Sequence, residues 1–268
     1  MSVSRRSFLR GAIVGVGSAV AAAAYADFDA QALTVEAHTL PLQNWKADGL
    51  RVGFLTDIHV NDSQATELAL HASQQLVELR PDLVIFGGDA VDTSRPIGFD
   101  NTRTCLAPLQ KLNVPMLAVL GNHDYWSGNP QGVRDALSDS GFRVLRNEVV
   151  RFDQYHVAGY DDRIGGIDDP MFQPDLLGTL AVMHEPDDVD VVPQTVSLQL
   201  SGHSHGGQIC LPFGVAVHTP KGARKYLKGF YPEANVPLYV SRGVGTVGFK
   251  WRTFCAPEIT LLTLKSAG

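Results

Sequence analysis

From residue 50 onward, short apolar runs alternate with segments whose apolar residues recur every three or four positions. The first kind reads as strand and the second as helix. Residues 50–56 (Leu-Arg-Val-Gly-Phe-Leu-Thr) predict a buried strand ending at Asp57. Residues 65–80 predict a helix with Leu68, Ala72, Leu76 and Leu79 on one side and Asp62 or Ser63 as its cap. Residues 82–86 and 116–120 predict two more strands, ending in Gly87-Gly88-Asp89 and Gly121-Asn122-His123-Asp124. Helices are expected over 102–112 and 130–140, the second stopped by Gly141. Later strands are expected at 149–152, 156–159, 180–183, 196–201, 208–211, 238–241 and 259–264. No repeat, low-complexity segment or long linker interrupts the chain after Val35, and strand alternating with helix favours a layered α/β domain.

The polar residues are placed as informatively as the apolar ones. Five apolar strands each end in a short polar motif: Asp57-Ile58-His59, Gly88-Asp89-Ala90-Val91-Asp92, Gly121-Asn122-His123-Asp124, Met183-His184-Glu185-Pro186 and Gly202-His203-Ser204-His205-Gly206-Gly207-Gln208. In α/β sheets, ligands gather outside the carboxyl ends of strands, where loops converge while the strands hold them rigidly. Carboxylate and amide oxygens mixed with imidazole nitrogens suit Mn, Fe, Zn or similar divalent ions. No cysteine joins the motifs, which argues against a structural thiolate zinc site. Taken singly, a strand-end Asp is a turn former or cap, and that reading is preferred for Asp92. His38, His71, His156 and His218 fall outside the motifs and are read as non-functional.

Composition narrows the function classes. The 268 residues fit one large domain or two small ones and can bury a core without disulfides. The chain carries 22 Lys and Arg against 28 Asp and Glu, a net charge of -6. The first 26 residues hold three of those bases and no acid, so the remainder has 19 against 28, near -9. Such a balance argues against non-specific nucleic-acid binding, which needs a basic surface. Cys105, Cys210 and Cys255 are too few and too scattered for a disulfide framework, and Cys210 in its apolar run reads as a buried thiol. At the N-terminus, Arg5-Arg6 with Phe8-Leu9 precedes an uncharged stretch over 11–24 and closes with Ala24-Tyr25-Ala26. This is the pattern of a twin-arginine export signal over residues 1–26, directing the chain through the Tat machinery to the periplasm or cell envelope.

The ordered set of five motifs resembles the calcineurin-like metallophosphoesterase family, over about residues 50–264. The resemblance implies an α/β fold with a layered β-sandwich flanked by helices, filling residues 50–268 after a lead-in at 27–49. It also implies two divalent metal ions. Asp57, His59 and His205 would bind the first, Asn122, His184 and His203 the second, and Asp89 would bridge both. His123 would face the scissile phosphate as general acid or charge stabiliser, with Asp124 orienting it. The implied reaction is hydrolysis of a phosphate ester, foremost a phosphodiester, by a hydroxide shared between the metals.

Gly206-Gly207-Gln208, the 241–245 segment (Ser-Arg-Gly-Val-Gly) and Pro257-Glu258-Ile259 resemble the YkuE/YaeI-type bacterial phosphodiesterases of this family. Arg242 reads equally as a phosphate contact or a structural ion pair, and Asp161-Asp162 as structural. Lys221, Arg224, Lys225 and Lys228, with aromatics interleaved, read foremost as a solvated face and otherwise as a peripheral contact with membrane or cell wall. The competing functions are a phosphomonoesterase, such as a protein phosphatase or nucleotidase, and a non-catalytic metal-binding module. A filled ligand set with His123 present weighs against the latter.

Overall fold

The computed structural model describes residues 30–92, 96–166 and 172–267, so the expected export signal lies outside the described residues. One six-stranded sheet is built from β1 (Thr34–Leu42), β2 (Leu50–Leu55), β3 (Leu83–Phe86), β4 (Met116–Ala118), β5 (Arg143–Val144) and β14 (Glu258–Ser266). Its order is β1-β14-β2-β3-β4-β5, and β2 to β5 run parallel. The second sheet contains β6 (Glu148–Arg151), β7 (His156–Gly159), β8 (Thr179–Val182), β9 (Val196–Ser201), β12 (Gly229–Tyr231) and β13 (Leu238–Val240). Its order is β12-β13-β9-β8-β7-β6, with β7, β8, β9 and β13 parallel. A small hairpin, β10 (Cys210–Leu211) with β11 (Val215–Ala216), stands apart.

The two sheets face each other across a core of Val52, Phe54, Leu83 and Ile85 from one and Leu180, Val182, Leu198 and Leu200 from the other. The intervening side chains of the first sheet, Leu55, Val84 and Phe86, point the other way. They pack under α1 (Ser63–Leu79), α2 (Pro96–Leu106) and α4 (Pro130–Asp139). Ala158, Ala181 and Met183 do the same on the outer face of the second sheet. Burial on both faces is why β3 is an unbroken apolar run, whereas β9, equally buried, interleaves Ser197, Gln199 and Ser201 with its apolar residues. The expected sandwich flanked by helices is therefore the observed architecture.

Local chemistry fixes the helix ends. Asp62, in extended backbone, accepts the Ala65 N–H at 2.9 Å and caps α1, while Arg80 ends it in the left-handed region ahead of Pro81. The helix expected at 102–112 instead begins at Pro96 and leaves the α form at Leu106. Residues Ala107–Leu112 continue as a 3₁₀ turn, because Pro108 has no N–H for an α-helical bond. The segment expected as a lead-in supplies β1, paired in parallel to β14 at the sheet edge. Its Pro41 is tolerated because an edge strand has one unpaired side.

Candidate metal centre

All five motifs leave the carboxyl ends of parallel strands: Asp57 after β2, Asp89 after β3, Asn122 after β4, His184 after β8 and His203 after β9. Asn122 opens the short helix α3 (Asn122–Trp126). The loops lace together through their backbones, Asp57 N–H to Gly88 O at 2.9 Å and His59 N–H to Asp89 O at 3.2 Å. Asp57, His59, Asp89, His203 and His205 all have positive φ, between 44° and 64°. Non-glycine residues adopt that region only when the surroundings force it, and such strain collects at functional sites.

The residues expected to hold metal come together in two groups. Asp57, His59 and His205 place one donor atom each within 4.8 Å of one another, and so do Asp89, His184 and His203. Asp89 stands between the groups, its Oδ2 lying 3.6 Å from His59 Nε2 and 3.1 Å from His184 Nε2. Its other oxygen accepts the His123 N–H at 2.9 Å. Asp57 Oδ2 accepts the Thr56 hydroxyl at 2.7 Å, and both Asp57 oxygens lie 3.1 Å from the His203 N–H.

The imidazoles are oriented from behind. His184 Nδ1 donates to Gly87 O and His203 Nε2 donates to Lys221 O, each at 2.8 Å. The opposite nitrogen of each ring is then the one turned into the site. His184 Nε2 and Asn122 Oδ1 are buried without a hydrogen-bond partner among the described residues. Unpaired buried acceptors are costly, and a divalent cation would satisfy both. Charge points the same way. Burial would push the His59 imidazole down, but Asp92, Asp89 and Asp57 outweigh it and raise it to about 9. His184 is likewise raised against its burial by Asp89 and Asp57. The carboxylates thus demand positive charge, which a cation would supply in place of those protons. His205 goes the other way, because burial, His59 and Arg252 hold it well below its ordinary range and leave it neutral. The donor set fits hard or borderline divalent metal ions.

Several expectations are corrected here. Asp124 does not touch His123. Buried, it accepts the N–H groups of Gly121, Asp89, Ala90 and Val91 at 2.8–3.2 Å and pins the Asp89 loop to the Asn122 turn. Asp92, read as a turn former, is the residue that reaches His123. Its Oδ1 lies 2.6 Å from His123 Nδ1 and 2.7 Å from His59 Nδ1, so one carboxylate orients two imidazoles. Although burial raises the Asp92 carboxyl, those two imidazoles hold it far below the usual range. Asn61 completes the link by donating to Asp92 Oδ2 at 2.7 Å and accepting its N–H at 2.9 Å. Asp92→Ala is expected to lower metal affinity about 10–100-fold, the usual effect of losing a ligand's outer partner. Calorimetric titration with Mn²⁺ checks this, and unchanged affinity would show that His59 is held without it.

Arg242 proves to be an ion pair, with Nε 2.9 Å from Glu258 and Nη2 2.6 Å from Glu36. Asp161 takes the structural role expected of it, accepting from Tyr125 and from Arg146. Cys105, Cys210 and Cys255 are buried thiols. Cys210 and Cys255 both donate to Gly206 O, behind His205. The residue the sequence reading passed over altogether is Arg252, fully buried beneath the same loop.

Comparison with known proteins decides the family. The model of calcineurin-like phosphoesterases matches residues 50–207, a span holding all seven residues of the expected ligand set. The chain belongs to the calcineurin-like phosphoesterase family. This phosphoesterase, a hydrolase of phosphate esters, is similar to metallophosphoesterase YkuE of Bacillus subtilis, with 32% identity over 98% of both chains. It also resembles phosphodiesterase YaeI of Escherichia coli, 29% identical over 85% of this chain and 86% of YaeI. A metallophosphoesterase of Aquifex aeolicus is 28% identical over 93% of this chain and 98% of its own.

Proposed function

We propose that this phosphoesterase is an exported phosphodiesterase that works with two divalent metal ions. The observation that carries the reading is the Asp89 carboxylate, set between two separate groups of buried donors. Asp57, His59 and His205 would hold one ion, Asn122, His184 and His203 the other, and Asp89 both. Bound there, the ions supply acidity to a water and positive charge opposite the phosphoryl oxygens.

The chain's own residues do the rest. Buried carboxylates and lone-pair nitrogens, each fixed by a backbone or side-chain partner, preorganise the site so that little rearrangement accompanies reaction. His123 stands at the open side, with one ring nitrogen on Asp92 and the other available to a substrate oxygen. It can give a proton to the leaving alkoxide or hold a non-bridging oxygen. A diester preference finds support in the similarity to YaeI, which is named a phosphodiesterase. The export proposal rests on the twin-arginine pattern of residues 1–26.

The test is turnover of bis-p-nitrophenyl phosphate and p-nitrophenyl phosphate by purified, metal-loaded protein. The diester should be hydrolysed faster, both activities should vanish on chelation, and Mn²⁺ should restore them. A reversed preference would make it a monoesterase. His123→Ala is expected to lower kcat by about 10²–10⁴, the usual worth of a general acid. If kcat stays at the wild-type value, His123 has no such role.

A further inference from the structure

The metal centre opens into a cavity of about 650 Å³ whose floor includes Asp89, Asn122, His203 and His205. The phosphoryl group would meet that polar floor, yet most of the surface above it is apolar, from Trp126, Ile164, Ile209, Val217, Val247 and Phe249. Several of these remain exposed: Phe249 at 71%, Val217 at 62% and Trp126 at 61%. Large apolar side chains left in water and gathered at one mouth mark a site for an apolar partner.

The apolar surface continues outward. Ile209 and Val217 flank the β10–β11 hairpin and are tied by the Val217 N–H to Ile209 O bond at 3.0 Å. Beyond them the hairpin exposes Leu211 and Val215, and at its tip Phe213 projects fully into solvent. Lys228 stands beside this tip, its ammonium 2.9 Å from where a Cβ on Gly214 would lie. Lys221 lines the cavity itself. An apolar tip with an ammonium group beside it and a second lysine in the cavity, on a chain otherwise net acidic, is an arrangement that suits the interface of an anionic membrane. Of the rest of the basic cluster, Lys225 pairs with Asp190, while Arg224 gives its backbone N–H to Asp187 and keeps an exposed side chain.

We propose that the substrate is a membrane lipid carrying a phosphodiester, its apolar chain held in this cavity while the hairpin tip rests in the membrane surface. The proposal builds on the phosphodiesterase reading above. Hydrolysis would add one water across a P–O bond, leaving a phosphomonoester on one product and an alcohol on the other.

The experiment uses the full-length, Mn²⁺-loaded protein with p-nitrophenyl alkyl phosphodiesters whose alkyl group is methyl, butyl or octyl. Each buried methylene favours binding several-fold, so kcat/KM should rise at least roughly tenfold from methyl to octyl, mainly through KM. Phe249→Ser should bring the octyl-to-methyl ratio towards one, and Val217→Ser reads the same ratio should the first variant fail to fold. A second arm measures sedimentation with vesicles of phosphatidylcholine and phosphatidylglycerol, where Phe213→Ser should weaken binding several-fold. Equal kcat/KM across the series, with the methyl ester still hydrolysed, overturns the lipid proposal and spares the phosphodiesterase reading. A chain-length effect with vesicle binding indifferent to Phe213 also overturns it, pointing to a soluble apolar ester. Failure to hydrolyse any ester sinks both.

Discussion

Under the two-metal proposal, Asp89→Asn is expected to remove turnover and to leave the protein unable to fill both proposed metal positions. The substitution keeps the shape of the side chain and exchanges one carboxylate oxygen for an amide that donates rather than accepts. In the wild-type protein that carboxylate faces both donor groups through Oδ2 and the α3 turn through the His123 N–H. Losing an outer partner of a metal ligand costs about 10–100-fold. Loss of a donor common to two ions should exceed that range for the weaker site. Metal analysis should fall from two ions per chain towards one, and kcat should fall by more than roughly 10³, beyond the contribution of one general acid at its centre. Circular dichroism of the metal-free variant should match wild type, because the Asp89 backbone and its left-handed turn are held by Asp124 and the β2 loop. A variant that kept both ions and worked within tenfold of wild type would show that the two donor groups act independently.

The parts of this site legible in the sequence are those where a single residue's position in a strand decides its fate. A strand buried on both faces is mostly apolar, as Leu83 to Phe86 are throughout, so the charged and imidazole residues that follow it are conspicuous and lie at a sheet end. Asp57, Asp89, Asn122, His184 and His203 were legible for that reason. Asp92 was not, because its role depends on a carboxylate reaching across to His59 and His123 on two other loops. Nothing in Ala90-Val91-Asp92 distinguishes that from a turn. β1 escaped because its inward face carries Thr34, Glu36 and His38, half-buried, while Val35 and Ala37 face water, so no apolar-in, polar-out alternation marks it before Leu40. Arg252 escaped for the opposite reason: Lys250-Trp251-Arg252 reads as surface, and only the fold turns the guanidinium inward.

That buried guanidinium carries the second large effect: Arg252→Met is expected to destabilise the metal-free protein by about 3–5 kcal/mol, since several buried carbonyls lose their donor at about 1–3 kcal/mol each. Arg252 donates to the carbonyl oxygens of His205, Arg242, Gly243, Gly245 and Cys255, at 2.6–3.2 Å. Met fills similar space but offers no donor, so the Arg242, Gly245 and Cys255 carbonyls lose the guanidinium in a place water cannot readily reach. For a domain of this size each kcal/mol moves Tm by about 2–4 °C, so the midpoint should fall by roughly 10 °C. Arg252→Lys should recover only part of this, since one ammonium has three donors and cannot span carbonyls on separate loops. The same change should weaken metal binding, because the 242–245 loop is the wall behind Asp57. The Gly245 N–H bonds Asp57 O at 2.6 Å, and a Cβ at Gly243 would come within 2.6 Å of the Asp57 Cβ. A melting point within two or three degrees of wild type, as about one kcal/mol would give, would mean that these loops hold their shape without the arginine. The strained residues Asp57 and His205 would then owe their positions to the sheet ends alone.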